Sequence, residues 1–139
     1  MPGEHSVSKL LGAMDPSLID GEFVFLTFND SLYGDHSELQ PFAAVGESEG
    51  RTLLVPKWRA DGRQIAYSST FRGITLRVHS SLNAVGLTAA FSAELAKLGI
   101  SANVLAGYFH DHIFVQSASA DKALLALQTL AANHRRSRE

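Results

Sequence analysis

The sequence predicts an α+β protein built from two similar modules, each with an antiparallel sheet and helices on one face. Three observations lead to this fold class. The segment "ITLRVH" alternates apolar and polar residues, as a strand with one buried face does. Between Ala84 and Leu98 the apolar period changes to 3.6, which predicts an amphipathic helix. The order strand, connection, hairpin, helix then occurs twice along the chain.

Residues 1–70 predict an N-terminal module that is degenerate, because the segment after its first strand is polar and rich in turn formers. The first strand is "EFVFLTF", which is apolar on both faces and therefore predicts cover on both sides. "FAAVGESEGRTLLVP" predicts a hairpin with its turn at "ESEG". "KWRADGR" predicts a short helix that ends at Gly62, and "IAYSS" predicts a further short strand.

Residues 71–139 predict a complete C-terminal module. Its first strand ends near His79, and its first helix ends at Gly99, where a left-handed conformation suits glycine. "SANVLAGYF" and "HIFVQ" predict a hairpin with "HD" at its tight turn. Ser119 can cap a last helix that runs from Ala120 to about Asn133.

Composition excludes several classes of site and partner. The 139 residues include no cysteine, so disulfides and thiolate metal sites are excluded. The net charge of −2 argues against nucleic acid or an anionic membrane as a partner. The sequence has neither the apolar core of a signal peptide nor a run of 18 apolar residues. We therefore expect a cytoplasmic protein that needs no cofactor.

The second half resembles the ACT domain, a ferredoxin-like βαββαβ module that binds ligands in amino-acid metabolism. The resemblance lies in "NAVGLTAAFSAELAKLGIS", with Gly86 at the start of a helix and Gly99-Ile100 before the next strand. The run "ITLRVHSSLNAVGLTAA…GISANVLAGYFHDHIFV" is similar to a family of small bacterial proteins made of two fused ACT-like modules, whose function is poorly defined. The resemblance is close from Gly73 to Val115 and looser in the first half. It implies a homodimer and a small-molecule ligand.

The start of the helix is the predicted ligand site. A helix start carries free N–H groups and a partial positive charge, which suit the carboxylate of an amino acid. Gly86 would let a ligand approach closely, and the hydroxyl and amide groups beside it can bond a head group. The candidate ligand-binding residues are His79, Ser80, Ser81, Leu82, Asn83, Val85, Gly86, Leu87, Asn103, Tyr108, His110, Asp111 and His112.

Structural explanations compete with this site. Ser80, Ser81 and Asn83 are residues that cap any helix, and Asn103 could simply face solvent. Gly86 could serve only to allow close packing of a helix against a neighbour. In the same way Asp111 suits a tight turn, and the histidines beside it can bond nearby backbone.

The "HDH" segment also permits other functions. His110 and His112 could bind a metal together with His79, although a closed site needs three or four protein ligands. Ser80 or Ser81 with a histidine and Asp111 would supply the residue types of a catalytic triad, but no G-x-S-x-G elbow is present. The leading hypothesis is a non-catalytic regulatory protein that binds a free amino acid. The alternatives are a small metal-dependent or hydrolytic enzyme and a pure protein-interaction module.

Overall fold

The structure is a computed structural model that describes residues 6–29, 32, 34–78 and 85–136. Its helices and strands follow in chain order: α1 (Val7–Gly12), β1 (Ser17–Leu18), β2 (Phe23–Phe28), β3 (Ala43–Glu47), β4 (Gly50–Pro56), α2 (Lys57–Gly62), β5 (Phe71–Leu76), α3 (Leu87–Lys97), β6 (Asn103–Ala106), β7 (Asp111–Gln116) and α4 (Ala120–Arg136). Short 3-10 helices lie at Ser37–Leu39 and Ser117–Ser119. Within the described ranges, none of the helices combines the length and the apolar character needed to span a membrane.

The chain divides into two compact units. The middle unit is Asp20–Arg72, and the terminal unit combines the described residues up to Ile19 with those from Gly73 onward. By packing, α1 and β1 therefore lie in the terminal unit, whereas the division into residues 1–70 and 71–139 assigns them to the first module. That division stays a prediction about the two modules.

The terminal unit has an antiparallel sheet with helices packed on one face. β1 pairs with β5, and β6 pairs with β7, in both cases antiparallel. Alternate residues of β5 and β7 enter one core cluster, which explains the alternation seen in the sequence. The helices α1, α3 and α4 supply the other side of this cluster; its fully buried members include Leu10, Ile74, Leu76, Phe91, Leu95, Ile113, Val115 and Leu127.

The middle unit is smaller and has fewer helices. β4 lies between β3 and β2, and both pairs are antiparallel. Among the described residues between β2 and β3, the only helical segment is Ser37–Leu39, as expected for a degenerate module. The core of this unit is formed by Val24, Leu26, Leu39, Leu53, Val55 and Ala60. Together the two units confirm the predicted α+β class with antiparallel sheets.

Three local predictions need correction. Residues 65–69 form no strand, so the prediction from "IAYSS" was wrong. β2 is not covered on both sides, because Phe25 is 37% exposed and instead packs edge-on against Phe71 with ring centroids 5.0 Å apart. α3 begins at Leu87 rather than at Ala84, since Gly86 precedes it in a left-handed conformation that a helix interior does not adopt.

Candidate functional site

The start of α3 supports the packing explanation for Gly86. This glycine has φ +103°, and a Cβ at its position would lie 2.9 Å from Cγ2 of Val7. α1 therefore approaches the backbone here, where a ligand was expected to do so. Leu87 is buried in the core and Val85 is 83% exposed. The other candidates in this stretch, His79, Ser80, Ser81, Leu82 and Asn83, lie outside the described residues.

The β6–β7 hairpin places its turn two residues earlier than predicted. The Gly107 N–H donates to the His110 carbonyl oxygen at 2.9 Å, so Tyr108 and Phe109 occupy the tip. Asp111 is not in the turn, because it pairs with Ala106 and begins β7. A Cβ on Gly107 would lie 2.8 Å from that carbonyl oxygen, which explains why glycine occupies this position.

The remaining candidates, Tyr108 and Asn103, lie at opposite ends of the hairpin. Tyr108 is 64% exposed at the tip, and its ring packs against Phe109 with centroids 4.9 Å apart. Asn103 lies at the far end of β6, where its Nδ2 donates to the Phe114 carbonyl oxygen at 3.1 Å. Asn103 thus bonds backbone within the hairpin, and the structure does not bring it together with the histidines.

His112 is held against a neighbouring strand. Its Nδ1 lies 3.1 Å from the Oγ1 of Thr75 in β5, at hydrogen-bond distance. Thr75 is only 8% exposed, so this contact fixes the imidazole at a partly buried position. Burial lowers the pKa of His112, the charge of His110 lowers it further, and Asp111 opposes both effects. The ring is therefore held neutral at neutral pH.

Two further polar groups lie beside this contact. Asp111 is 8% exposed, and its burial raises the pKa of the carboxyl while the charge of His112 opposes that effect. The two carboxyl oxygens of Asp111 are not among the buried polar atoms that lack a hydrogen-bond partner in the described part of the chain. The Nδ1 of His110 is one of those atoms. Buried polar atoms without partners are uncommon in folded proteins, so the imidazole of His110 calls for an explanation.

We name Thr75, His110, Asp111 and His112 the hairpin cluster. Its residues lie on β5, at the start of β7 and directly before β7. Its groups can donate and accept hydrogen bonds, and its carboxyl can pair with a cation. Among the side chains in the described ranges, no three His, Asp or Glu residues come close enough to hold a metal ion.

Sequence reasoning did not select Thr75 as a site residue. The alternation of "ITLRVH" assigned it to the more polar face of β5, but nothing in that pattern showed which residue of β7 would lie beside it. The signal available was a small polar residue in the strand that directly precedes the predicted ligand site.

Replacing Asp111 with Asn is expected to stabilise the ligand-free protein at neutral pH. Folding raises the pKa of the Asp111 carboxyl, so the protonated carboxyl favours the folded state. Its contribution to stability is fully present below the pKa of the unfolded chain and is lost as the pH rises through the pKa of the folded protein. The variant should melt at a higher temperature than the wild type at pH 7, and this gain should vanish toward pH 3. Melting curves across that range measure it. Glu94→Gln, at an exposed ion pair on α3, is the control, and a gain independent of pH would contradict the assignment.

Comparisons with known protein families decide what the fold is. Two models described as ACT domain match in tandem, one over residues 2–72 and the other over residues 68–129. The chain belongs to the ACT-domain family. ACT domains are regulatory, non-catalytic modules that bind small-molecule ligands such as amino acids. A comparison with proteins of curated function gave no match.

Solved structures show the same ACT architecture. A Vibrio cholerae protein of unknown function, described as a possible transport protein, is 48% identical over 89% of this chain and 94% of its own, with a TM-score of 0.81. A protein from Agrobacterium tumefaciens is 12% identical, with a TM-score of 0.69 over 84% of this chain and 87% of its own. Aspartokinase III from E. coli, solved with aspartate and ADP, is 7% identical, and the match covers 83% of this chain and 32% of the kinase with a TM-score of 0.61.

Proposed function

We propose that this ACT protein is a non-catalytic sensor that binds a free amino acid, or a similar small zwitterion, at the hairpin cluster. The observation that carries the proposal is Asp111, which is only 8% exposed and whose burial raises the pKa of its carboxyl, next in the strand to the imidazole of His112 that Thr75 holds. A buried carboxylate is costly unless a cation or several donors accompany it. A ligand ammonium group would supply that cation.

The same cluster can bond the other end of a zwitterion. A neutral histidine carries one N–H donor, and the His110 ring has a buried nitrogen that is not satisfied by any described residue. An ammonium at Asp111 and a carboxylate at these donors would satisfy both head groups of an amino acid.

The fold supports the class of ligand. Aspartate kinases share this architecture, and one of them was solved in complex with aspartate. The described residues form no cluster of three metal-ligating side chains. His79, Ser80 and Ser81, which the metal-dependent or hydrolytic alternative would use, lie outside the described residues.

A thermal-shift screen tests the proposal. Each of the twenty amino acids is added at 1 mM, a concentration on the order of one hundred times a 10 μM dissociation constant, and binding at that ratio stabilises the native state by about 2.7 kcal/mol. We expect at least one amino acid to raise the melting temperature. Asp111→Asn should abolish the shift, measured against its own ligand-free melting temperature, and Glu94→Gln should retain it. No shift with any amino acid, or an undiminished shift in Asp111→Asn, would refute amino-acid binding at this cluster.

We also propose that two copies associate through the face formed by α3 and α4. A groove of about 450 Å³ between these helices is flanked by Leu98 and Leu125, which are 39% and 64% exposed. Asp121 in the first turn of α4 and Arg136 in its last turn share a face with Leu125. An antiparallel pair of α4 helices would therefore place each Asp121 beside Arg136 of the second copy. Sedimentation should show a dimer that Leu125→Glu converts to a monomer; a monomeric wild type would exclude this association.

A further inference from the structure

The short helix α2 of the middle unit borders a small pocket that is rich in positive charge, which we name the α2 pocket. It has a volume of about 190 Å³, and its lining residues are Glu38, Leu39, Trp58, Arg59, Gly62 and Arg63. Pockets for drug-sized ligands are usually larger, at roughly 300–1,000 Å³. Two guanidinium groups and one carboxylate thus surround a cavity that has the size for a single small anionic group.

Contacts on the other faces of α2 hold the helix in place. Ala60 is fully buried in the core of the middle unit. Lys57 Nζ donates to Oδ2 of Asp61 at 2.8 Å, and the Tyr67 hydroxyl donates to Oδ1 of Asp61 at 2.7 Å. The bonds from Lys57 and Tyr67 lower the pKa of the Asp61 carboxyl, so this carboxylate stays ionised and paired with Lys57. The positive charge that remains on the helix is that of its arginines.

Arg59 is held by an aromatic ring and not by an ion pair. The carbon of its guanidinium group lies 4.2 Å from the centroid of the Trp58 ring, which is a cation–π distance. Its Nη1 donates a long hydrogen bond of 3.4 Å to the Glu38 carbonyl oxygen, and its Nε has no partner among the described residues. Of the carboxylates that the structure describes, none forms an ion pair with Arg59. Stacking occupies the face of a guanidinium group, so N–H groups in its plane can still bond an anion.

Arg63 has a weak partner. Its Nη1 lies 3.8 Å from Oε1 of Glu38, and the two side chains are 60% and 45% exposed. An exposed ion pair of this length contributes little to stability, because water and salt screen it. A ligand with a higher negative charge can therefore replace Glu38 as the partner of Arg63.

The spacing of the two arginines favours one anion between them. Arg59 and Arg63 are four residues apart, and side chains at this spacing lie on the same face of a helix. Like charges at this spacing repel each other, and a bound anion removes that repulsion. A phosphate monoester carries nearly two negative charges and three strong acceptor oxygens near pH 7, which is enough for two guanidinium groups. A carboxylate has only two oxygens and one charge, so it satisfies one arginine.

We propose that the α2 pocket binds the phosphate group of a small phosphorylated metabolite. Arg59 and Arg63 bond the phosphate oxygens, and Trp58 holds the Arg59 guanidinium in position. The Glu38 carboxylate competes with the ligand for Arg63 and so limits the affinity of the site. The α2 pocket shares no residue with the hairpin cluster, and the proposal does not depend on amino-acid binding there.

The intrinsic fluorescence of Trp58 tests the proposal on the full chain, because Trp58 is its only tryptophan. Titration with glycerol 1-phosphate at constant ionic strength should change the emission and reach saturation. Arg59→Gln and Arg63→Gln should each weaken binding by about tenfold or more, the usual effect of losing a charged hydrogen bond. Glu38→Gln should strengthen binding, because the competing carboxylate is gone. Lys97→Gln removes one positive charge from an exposed ion pair on α3, and this matched control should bind as the wild type does.

Amide chemical shifts provide a second measurement that does not rely on the variants' folding. Glycerol 1-phosphate should shift the amide resonances of Arg59, Gly62 and Arg63 in the wild-type protein, whereas acetate at the same ionic strength should not. A phosphoserine tripeptide distinguishes the source of the phosphate and should bind no more tightly than glycerol 1-phosphate. No saturable response, an equal response to acetate, or unchanged α2 amides would overturn the proposal. Tighter binding of the tripeptide would also overturn it, because the site would then recognise a phosphorylated protein.

Discussion

Phe91→Ala is expected to lower the free energy of unfolding by about 3–5 kcal/mol, the usual cost of removing a buried phenylalanine ring. Phe91 is fully buried on α3 and packs in the core cluster of the terminal unit with Leu76 and Leu127. The ring fills space between helix and sheet, so its loss leaves a cavity that fixed strands cannot close. The melting temperature should fall by about 10–20 °C.

Chemical denaturation and thermal melting both measure this effect. Val45→Ala is a suitable control, because Val45 is 49% exposed on β3 and its truncation should cost less than about 1 kcal/mol. If Phe91→Ala and Val45→Ala were equally stable, the packing assigned to Phe91 between α3 and the sheet would be wrong.

The second large effect is expected at Gly73, in β5. A Cβ at this position would lie 2.7 Å from Cδ1 of Ile19 and 2.8 Å from Cε2 of Phe114. Both side chains would have to move, and Phe114 is fully buried. Gly73→Ala should therefore destabilise the protein by about 1–3 kcal/mol, the range for overpacking a core.

A double variant tests the cause. Phe114→Leu removes the ring atoms that the new Cβ would meet, so Gly73→Ala should cost less in that background than in the wild type. The two substitutions should couple with an energy on the order of 1 kcal/mol in a double-mutant cycle. Strictly additive effects would show that the close approach of Phe114 does not cause the destabilisation, which would leave the contact with Ile19 as its cause.

Periodic segments were the best predicted parts of the fold. The 3.6 period placed Leu87, Phe91 and Leu95 on one buried stripe, as found in α3, but Leu98, which it also included, is 39% exposed. The period of two placed Ile74 and Leu76 in the core cluster, whereas the wetter face predicted for Thr75 was wrong, because Thr75 is buried too. Such patterns can be read directly from the sequence, because each buried position of a helix or strand requires an apolar side chain.

Features that depend on register and on distant neighbours were not predictable. The hairpin turn was predicted at His110 and Asp111, but pairing of Ala106 with Asp111 puts Tyr108 and Phe109 at the tip. A register shift of a single residue reverses which side chains face the core. The residue types alone fit both the predicted and the observed position of the turn.

The contacts of the candidate site depend on distant neighbours as well. Thr75, the partner of His112, lies 37 residues away in the chain, and the neighbour of Gly86 is Val7, so no local pattern could indicate either contact. Ligand binding by His110, Asp111 and His112 stays a prediction.

Amide spectra of the labelled protein, recorded with and without an equimolar mixture of the twenty amino acids at 1 mM each, measure most directly whether the hairpin cluster binds a metabolite. We expect the largest chemical-shift changes at Gly107, Asp111 and His112, and their loss in Asp111→Asn. Unchanged resonances across Gly107–His112 would contradict the assignment of the cluster.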